Sequence, residues 1–159
     1  MSNFKNTDVL IASTNVKNFT EKEGQLPNFV TISGKKYSME QYMFVSSDLV
    51  RIIREGGSHH DLGSWIEKFK VDKPKVQAIK ADIDKKTYYD MNDRVYSFFM
   101  KNRKAPSSVS SKYGNVQYQA YIYSNAKILN YYRVHKIMPN YVSLNLAKNS
   151  KILNYLPKY

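Results

Sequence analysis

The sequence contains no cysteine, and only six of its 159 residues are glycine. Without cysteine the chain cannot form a disulfide, a thiolate metal site or a thiol nucleophile. It also lacks a glycine-rich loop of the kind that holds phosphate groups. We therefore expect no cofactor, while the redox compartment stays undecided.

Long hydrophobic stretches are also missing. No run approaches the roughly 18 apolar residues that cross a membrane. The segment from Met1 to Asp8 is mostly polar, and Val9 to Ala12 is too short for the apolar part of a signal peptide. We expect a protein that is made in the cytoplasm without a signal peptide and has no membrane span.

Acidic residues are scarce beside basic ones. Asp and Glu number 13 against 25 Lys and Arg, which gives a net charge of +12. A charge of this size attracts polyanions and raises encounter rates. An acidic wall polymer, a nucleic acid and an anionic membrane would all respond to it, so the charge alone does not identify the partner.

One spaced pattern occurs three times and organises the chain. Each copy has an apolar residue 11 positions before a proline, and an aromatic residue three positions after that apolar residue. A valine follows the proline by three positions and a hydroxyl residue by four, and such fixed offsets indicate an internal repeat. The positions are Val16, Phe19, Pro27, Val30 and Thr31 in copy 1; Val95, Phe98, Pro106, Val109 and Ser110 in copy 2; and Ile128, Tyr131, Pro139, Val142 and Ser143 in copy 3.

Each copy predicts a helix, a proline turn, a short extended pair and a second helix. Apolar residues at helical spacing precede the proline, and β-branched and aromatic residues follow it. Ser38-Met-Glu-Gln41 has the spacing of a capping box for the second helix. Ile128 lies 22 positions after Pro106 and also opens copy 3, so neighbouring copies share a helix. The sequence predicts a mainly α fold with short β hairpins (α+β), in which tandem repeats share helices.

The predicted elements divide the chain into three parts. Residues 1–57 form a first repeat, 58–90 a helical connector or degenerate repeat, and 91–159 a second repeat with a truncated third. The individual helices are expected at 8–24 and 39–54, from Ser64 to about Phe69, from Pro74 through Ile83, at 91–102 behind an Asp90 cap, at 117–134, and from Lys148 to Leu156.

Two segments resemble the pseudomurein-binding repeat family. They are Gly24-Gln-Leu-Pro-Asn-Phe-Val-Thr31 and Gly34-Lys-Lys-Tyr-Ser-Met39, with weaker matches at Pro139–Ser143 and Ala105–Ser110. The resemblance implies a module that holds proteins on the pseudomurein walls of methanogenic archaea. Such modules occur in archaeal cell-surface proteins and at the front of pseudomurein endoisopeptidases, the endolysins of archaeal viruses and proviruses.

Those endoisopeptidases resemble transglutaminase-like thiol peptidases and need a Cys-His-Asp set downstream of the module. This chain has no cysteine and cannot supply that nucleophile. The apparent lack of a signal peptide favours the lytic context over that of an exported adhesin. We therefore predict a monomeric, non-catalytic module that anchors or targets a lytic peptidase, a thiol hydrolase, at the archaeal cell wall.

The candidates for wall binding lie on the extended segments and their turns. Phe29 and Tyr141 each follow Pro-Asn where neighbouring side chains alternate faces, so Val30 and Val142 are expected inside and both rings outside or in a groove between repeats. A sugar ring could stack on such a ring; a packed aromatic beside a turn-forming asparagine is the equally supported alternative. The candidates are Asn28, Phe29, Lys35, Tyr37, Tyr113, Arg133, Lys136, Asn140 and Tyr141.

Other aromatic residues are expected in the core, and other chemistry is disfavoured. Met39, Tyr42, Tyr121 and Tyr131 have the apolar helical phase of core residues. The adjacent pair His59-His60 is expected in a solvated loop and not at a metal. The alternative function is a basic nucleic-acid-binding protein that uses Lys/Arg and Tyr, although no known nucleic-acid-binding signature occurs and no nucleic acid is the expected partner.

Overall fold

The computed structural model describes residues 4–59 and 71–156. In these residues helices combine with short antiparallel strand pairs, which confirms a mainly α fold of the α+β class. The elements are α1 (Asn6–Glu23), β1 (Phe29–Ile32), β2 (Lys35–Ser38), α2 (Met39–Glu55), β3 (Ile79–Asp84), α3 (Lys85–Asn102), β4 (Ser108–Ser111), β5 (Gly114–Gln117), α4 (Tyr118–His135) and β6 (Tyr141–Leu146). No helix in the described ranges is long and apolar enough to cross a membrane.

The three helices that precede a repeat proline end in the same way. Their C-terminal cap residues, Gly24, Arg103 and Lys136, are left-handed, with φ of 73°, 60° and 64°. Each cap amide donates to the carbonyl four residues earlier and satisfies one of the last free acceptors of its helix. Each cap lies three positions before the proline of its copy. The proline then prevents the helix from continuing.

The strand pairs of the three copies share one register. In each copy the first strand begins two positions after the proline, and its first residue faces the N-cap residue of a helix. The facing pairs are Phe29–Ser38, Ser108–Gln117 and Tyr141–Asp84. A common register keeps the same side chains inside in every copy, because a shift of one residue would turn each of them to the other face. Accordingly Val30, Val109 and Val142 are all buried.

Copy 3 obtains its second half from residues that precede it in the chain. β6 pairs antiparallel with β3, and β3 leads directly into α3. The order α4, β6, β3, α3 therefore repeats the helix, strand, strand and helix of the other copies. Although copy 3 was expected to be truncated, it is completed by a strand and a helix that are distant in sequence.

The predicted helix from Pro74 through Ile83 is wrong. Residues 79–84 form β3, in which Ile79 and Ile83 are buried while Lys80 and Asp82 are exposed. The two isoleucines are four positions apart, a spacing that fits one face of a helix and also one face of a strand. Pairing with β6 decides between the two, and no local signal in the sequence reports that pairing.

Two further predicted helix boundaries differ from the structure. Asp84, and not Asp90, caps α3, and its Oδ2 accepts a hydrogen bond from the Thr87 amide at 3.2 Å. The expected last helix, residues 148–156, does not form, and residues 148–149 and 151–154 are turns. The helix predicted from Ser64 lies outside the described residues.

The first two copies correspond position by position. Adding 79 to the bounds of α1 gives those of α3, and the same shift carries β1 onto β4 and β2 onto β5. Side-chain contacts follow the same shift. The Tyr42 hydroxyl donates to Ser13 Oγ at 2.7 Å, and the Tyr121 hydroxyl donates to Asn92 Oδ1 at 2.6 Å. The structure therefore preserves an internal duplication in its buried contacts as well as in its elements.

Each of the four helices in the described residues buries a small polar residue eight positions after its N-cap residue. The four residues are Ser13, Ser46, Asn92 and Asn125. Asn92 and Asn125 exchange amide hydrogen bonds of 3.2 and 3.0 Å, and Asn125 Nδ2 also donates to Ser46 Oγ at 3.1 Å. These bonds join α2, α3 and α4 inside the hydrophobic core.

A tyrosine four positions after the N-cap residue fills the core beside this polar set in three helices. Tyr42, Tyr88 and Tyr121 are all buried, as is Met39. The core positions of Tyr42, Tyr121 and Met39 confirm the sequence prediction. The prediction for Tyr131 is wrong, because 38% of this residue is exposed.

Substitution of Glu40 tests one buried charge. Glu40 is 1% exposed, and burial raises its pKa from 4.5 to about 7, although interactions with Ser38 and with its own backbone amide lower the pKa in part. The folded protein therefore holds a proton that the unfolded chain releases, and stability falls as pH rises from about 4.5 to 7. We expect Glu40→Gln to raise the free energy of unfolding at pH 8 by roughly 2–3 kcal/mol, and to change it little at pH 4. Urea denaturation at pH 4 and pH 8 measures the two free energies of unfolding. An equal effect of Glu40→Gln at both pH values would contradict the account of Glu40 as a buried titrating group.

The left-handed caps give a second test of the repeat. Replacing Lys136 by Gly relieves the strain of a side chain at φ 64° and should raise the unfolding free energy by about 0.5–1 kcal/mol. Gly24→Ala should lower it by a similar amount, because a Cβ there meets no atom within 4 Å and only the conformation opposes it. The control is Ser97→Gly at an exposed position within α3, which should destabilise. This account of the caps would be contradicted if Ser97→Gly stabilised the protein or if Lys136→Gly failed to stabilise it.

Candidate functional site

An open groove of about 410 Å³ lies between the C-terminal half of α4 and β6. We call it groove 3, after the repeat copy that forms it. Ile128, Pro139 and Val142 line it and are buried, so they form its floor. All three are positions of the repeated pattern, and the element that organises the fold therefore also shapes the groove.

Two exposed tyrosine rings line groove 3. Tyr131 comes from α4 and is 38% exposed, and Tyr141 is the first residue of β6 and is 56% exposed. Tyr141 faces outward because residues of β6 alternate between exposed and buried. The His135 ring lies against Tyr131, with centroids 4.1 Å apart. The groove thus offers flat apolar faces with polar hydroxyl tips, which suits a ligand that has both kinds of surface.

A lysine connects the helix to the strand across groove 3. Lys127 Nζ donates to the Ser143 carbonyl at 2.6 Å, and burial lowers the pKa of Lys127. Lys17, from α1, also lines the groove and pairs with Glu21 at 2.8 Å. Burial alone would raise the pKa of Glu21, but hydrogen bonds from Lys17 and Tyr123 hold it below its usual value. The described residues that line the groove include two lysines and no carboxylate, so the site favours ligands with acidic or neutral oxygen atoms.

The same groove occurs in copy 2 in a smaller form. Arg94, Val95, Phe98, Pro106 and Val109 line a cleft of about 200 Å³, which we call groove 2. Each of these residues lies 33 positions before its counterpart in groove 3. The connection between helix and strand also recurs, since the Arg94 guanidinium donates to the Ser110 carbonyl at 2.5 Å. A cation that holds the strand to its helix is therefore part of the shared frame.

Copy 1 places the corresponding residues in different surroundings. Phe29 is 46% exposed, but Lys36 Nζ lies over its ring, 4.4 Å from the centroid. Asn28 and Phe19 line a cavity together with residues 151–156 of the C-terminal segment. That segment is fixed by two side chains at the start of α4, since the N-cap residue Gln117 donates to the Leu153 carbonyl and Gln119 donates to that of Tyr155.

The structure brings together only two of the predicted site residues in groove 3, Asn140 and Tyr141. The Asn140 carbonyl accepts a hydrogen bond from the Lys85 amide at 2.8 Å, which fixes the backbone while the residue stays exposed. Arg133 and Lys136 lie near the end of α4 and are exposed, but neither lines the groove. Lys35 is exposed at the start of β2, away from groove 3.

Two other predicted site residues have structural surroundings. Tyr37 is partly buried on the inner face beside Val30, and its ring meets the edge of Phe4, with centroids 5.4 Å apart. The Tyr113 hydroxyl donates to Asp84 at 2.7 Å and ties the second hairpin to the N-terminus of α3. With hydrogen bonds from Tyr113 and Thr87 and with Lys112 beside it, the pKa of Asp84 is held well below its usual value. Each tyrosine therefore has a structural contact that does not depend on a ligand.

The sequence reasoning missed several residues of groove 3, among them Lys17, Lys127, Tyr131 and His135. One signal for Tyr131 was available, because it holds the aromatic position of the repeat. That position lies on the surface in copy 1 too, where Phe19 is 41% exposed. An aromatic residue that recurs at an exposed position indicates a surface shared by the copies. For Tyr131 this signal was overlooked because the apolar helical phase predicted a core position.

No family model matches the chain, and no curated protein matches it significantly. Among residues 4–59 and 71–156, no three His, Asp or Glu side chains come together as a possible metal site. The resemblance to the pseudomurein-binding repeat therefore rests on the quoted sequence motifs, and groove 3 has to be interpreted from its own chemistry.

Proposed function

We propose that this chain is a non-catalytic module that binds the pseudomurein of archaeal cell walls and targets a lytic peptidase to it. The observation that carries the proposal is groove 3, an open cleft lined by two exposed tyrosine rings, an exposed asparagine and two lysines. The sequence motifs that resemble the pseudomurein-binding repeat supply the identity of the polymer.

The chemistry of groove 3 suits a wall polymer made of sugars and peptides. Tyrosine rings give large contact areas at low cost in side-chain entropy, and their hydroxyl groups tolerate a wet surface. The Asn140 side chain can both donate and accept hydrogen bonds with hydroxyl or amide groups. Lys127 adds positive charge, whereas Lys17 is paired with Glu21. The net charge of +12 would speed the approach to an acidic wall.

The catalytic step is assigned to another part of the lytic machinery. The thiol chemistry of the endoisopeptidases needs a cysteine, and this sequence has none. In this proposal the chain raises the local concentration of a peptidase at the wall, where each extra binding contact lengthens its stay.

A second candidate is binding to nucleic acid, favoured by one specific observation. Lysine ammonium groups lie over exposed aromatic rings at two hairpins, Lys36 over Phe29 at 4.4 Å and Lys112 over Tyr113 at 5.3 Å. Aromatic platforms beside cations are typical of surfaces that stack bases and contact phosphates. These pairs lie outside groove 3, so substitutions can separate the two functions.

Sedimentation with isolated pseudomurein sacculi tests the proposal. We expect the purified chain to be retained, and salt to weaken this retention without abolishing it, because apolar stacking persists when charge is screened. Tyr131→Ala and Tyr141→Ala should each weaken apparent affinity about tenfold, as for anchor residues in other interfaces. The control is Met100→Ala, which truncates an exposed apolar side chain outside both grooves.

Filter binding with single-stranded RNA at physiological salt provides the comparison. Tight RNA binding that is lost in Lys36→Ala/Lys112→Ala, together with no retention on sacculi, would reject wall binding in favour of the second candidate.

A further inference from the structure

Grooves 2 and 3 have the same frame. Arg94 and Lys127 occupy the same position 33 residues apart, and each donates to the carbonyl of the hydroxyl residue that follows the proline by four. Val95 and Ile128 form equivalent parts of the two floors, and both are fully buried. The backbone registers also agree, as Ser108 and Tyr141 both face the N-cap residue of a helix.

The two grooves differ in the residues directly after the proline. Groove 3 has Asn140 and Tyr141, whereas the same two positions of copy 2 hold Ser107 and Ser108. Serine supplies neither a flat ring nor an amide group. The frame is therefore present twice, while the pair of side chains that could contact a ligand is present in only one of these two grooves.

Copy 1 has the pair and the common strand register but lacks the cation that joins strand to helix in grooves 2 and 3. Asn28 and Phe29 follow Pro27, yet position 15, which corresponds to Arg94, is an asparagine. Lys36 covers one face of the Phe29 ring, and the C-terminal segment shares the cavity of Asn28. Its aromatic residue is consequently less available than Tyr141.

We infer that groove 3 is the one wall-binding subsite among the three described copies, and that the Asn140–Tyr141 pair makes it so. Groove 2 is the same frame without the binding side chains. The inference rests on the proposed function and specifies where in the molecule binding occurs.

A swap between the two grooves tests the inference. In one variant, Asn140→Ser/Tyr141→Ser, groove 3 receives the side chains of groove 2. In the other, Ser107→Asn/Ser108→Tyr, groove 2 receives those of groove 3. Ser108→Ala serves as the matched control. Each ¹⁵N-labelled protein is titrated with solubilised pseudomurein fragments by NMR, and its retention on intact sacculi is measured in parallel. Well-dispersed spectra show that each variant is folded.

The expected results differ for each protein. Wild type and Ser108→Ala should show fragment-induced shifts at amides of residues 127–143 and not at 94–110. The first swap should lose these shifts and weaken retention at least tenfold. The second should gain shifts at 94–110 and bind sacculi at least tenfold more tightly, because two subsites act on one polymer.

The opposite results would overturn the inference in distinguishable ways. Wild-type shifts at both grooves, or a folded second swap with no new shifts, would reject the role of the Asn-aromatic pair while wall binding stands. A wild-type chain that binds neither sacculi nor fragments would overturn the proposed function and the inference together.

Discussion

Two asparagine side chains on neighbouring helices exchange hydrogen bonds inside the hydrophobic core. Asn92 of α3 and Asn125 of α4 bond to each other, and the set continues to Ser46 on α2 and to the Tyr121 hydroxyl. Polar groups in such a place are costly unless they are paired, so any sliding or rotation of one helix would leave several of them without partners. We regard this set as the constraint that fixes how the helices meet. Ser13 on α1 forms a separate buried bond of the same kind, with the Tyr42 hydroxyl of α2.

The constraint works because each of α1 to α4 carries its small polar residue at the same distance from its N-cap. When the helix is duplicated, the polar residue occupies the same position along each copy. Its hydrogen-bond partners occupy equivalent positions as well. The completion of copy 3 by β3 and α3 follows from the shared strand register. β6, the strand after α4, needs a partner strand in that register, and β3, which leads into α3, is that partner. Repeats therefore stack here without being consecutive in the chain.

The candidate site shows how one frame can diverge. The proline, the inward valine and the cation that holds the strand build a cleft in copies 2 and 3. Only the residues that point to solvent differ strongly, as at Ser108 and Tyr141. Changes at such exposed positions alter the fold little, since the packing beneath them is retained. A duplicated scaffold can in this way keep one copy for stability and another for recognition.

The repeat itself could be predicted from the sequence because it consists of fixed offsets around Pro27, Pro106 and Pro139. The offsets located the turns, the inward valines and the outward positions of Phe29 and Tyr141. The pairing of β3 with β6 could not be predicted, since Ile79 and Ile83 fit a helix and a strand equally well. The position of Lys17 beside groove 3 could not be predicted either, because it depends on how α1 packs against α4. The exposed position of Tyr131 was misjudged because helical phase alone does not show which apolar face is covered.

A double-mutant cycle on Asn92 and Asn125 tests the central claim most directly. Urea denaturation of wild type, Asn92→Ala, Asn125→Ala and the double variant gives the coupling free energy between the two side chains. If the buried polar set fixes the helix arrangement, each single substitution should cost about 2–4 kcal/mol, because it removes buried hydrogen bonds and leaves a cavity in the core. The double variant should then cost at least about 1 kcal/mol less than the sum of the two single costs. Additivity to within about 0.5 kcal/mol would show that the two asparagines act independently, and would contradict the account.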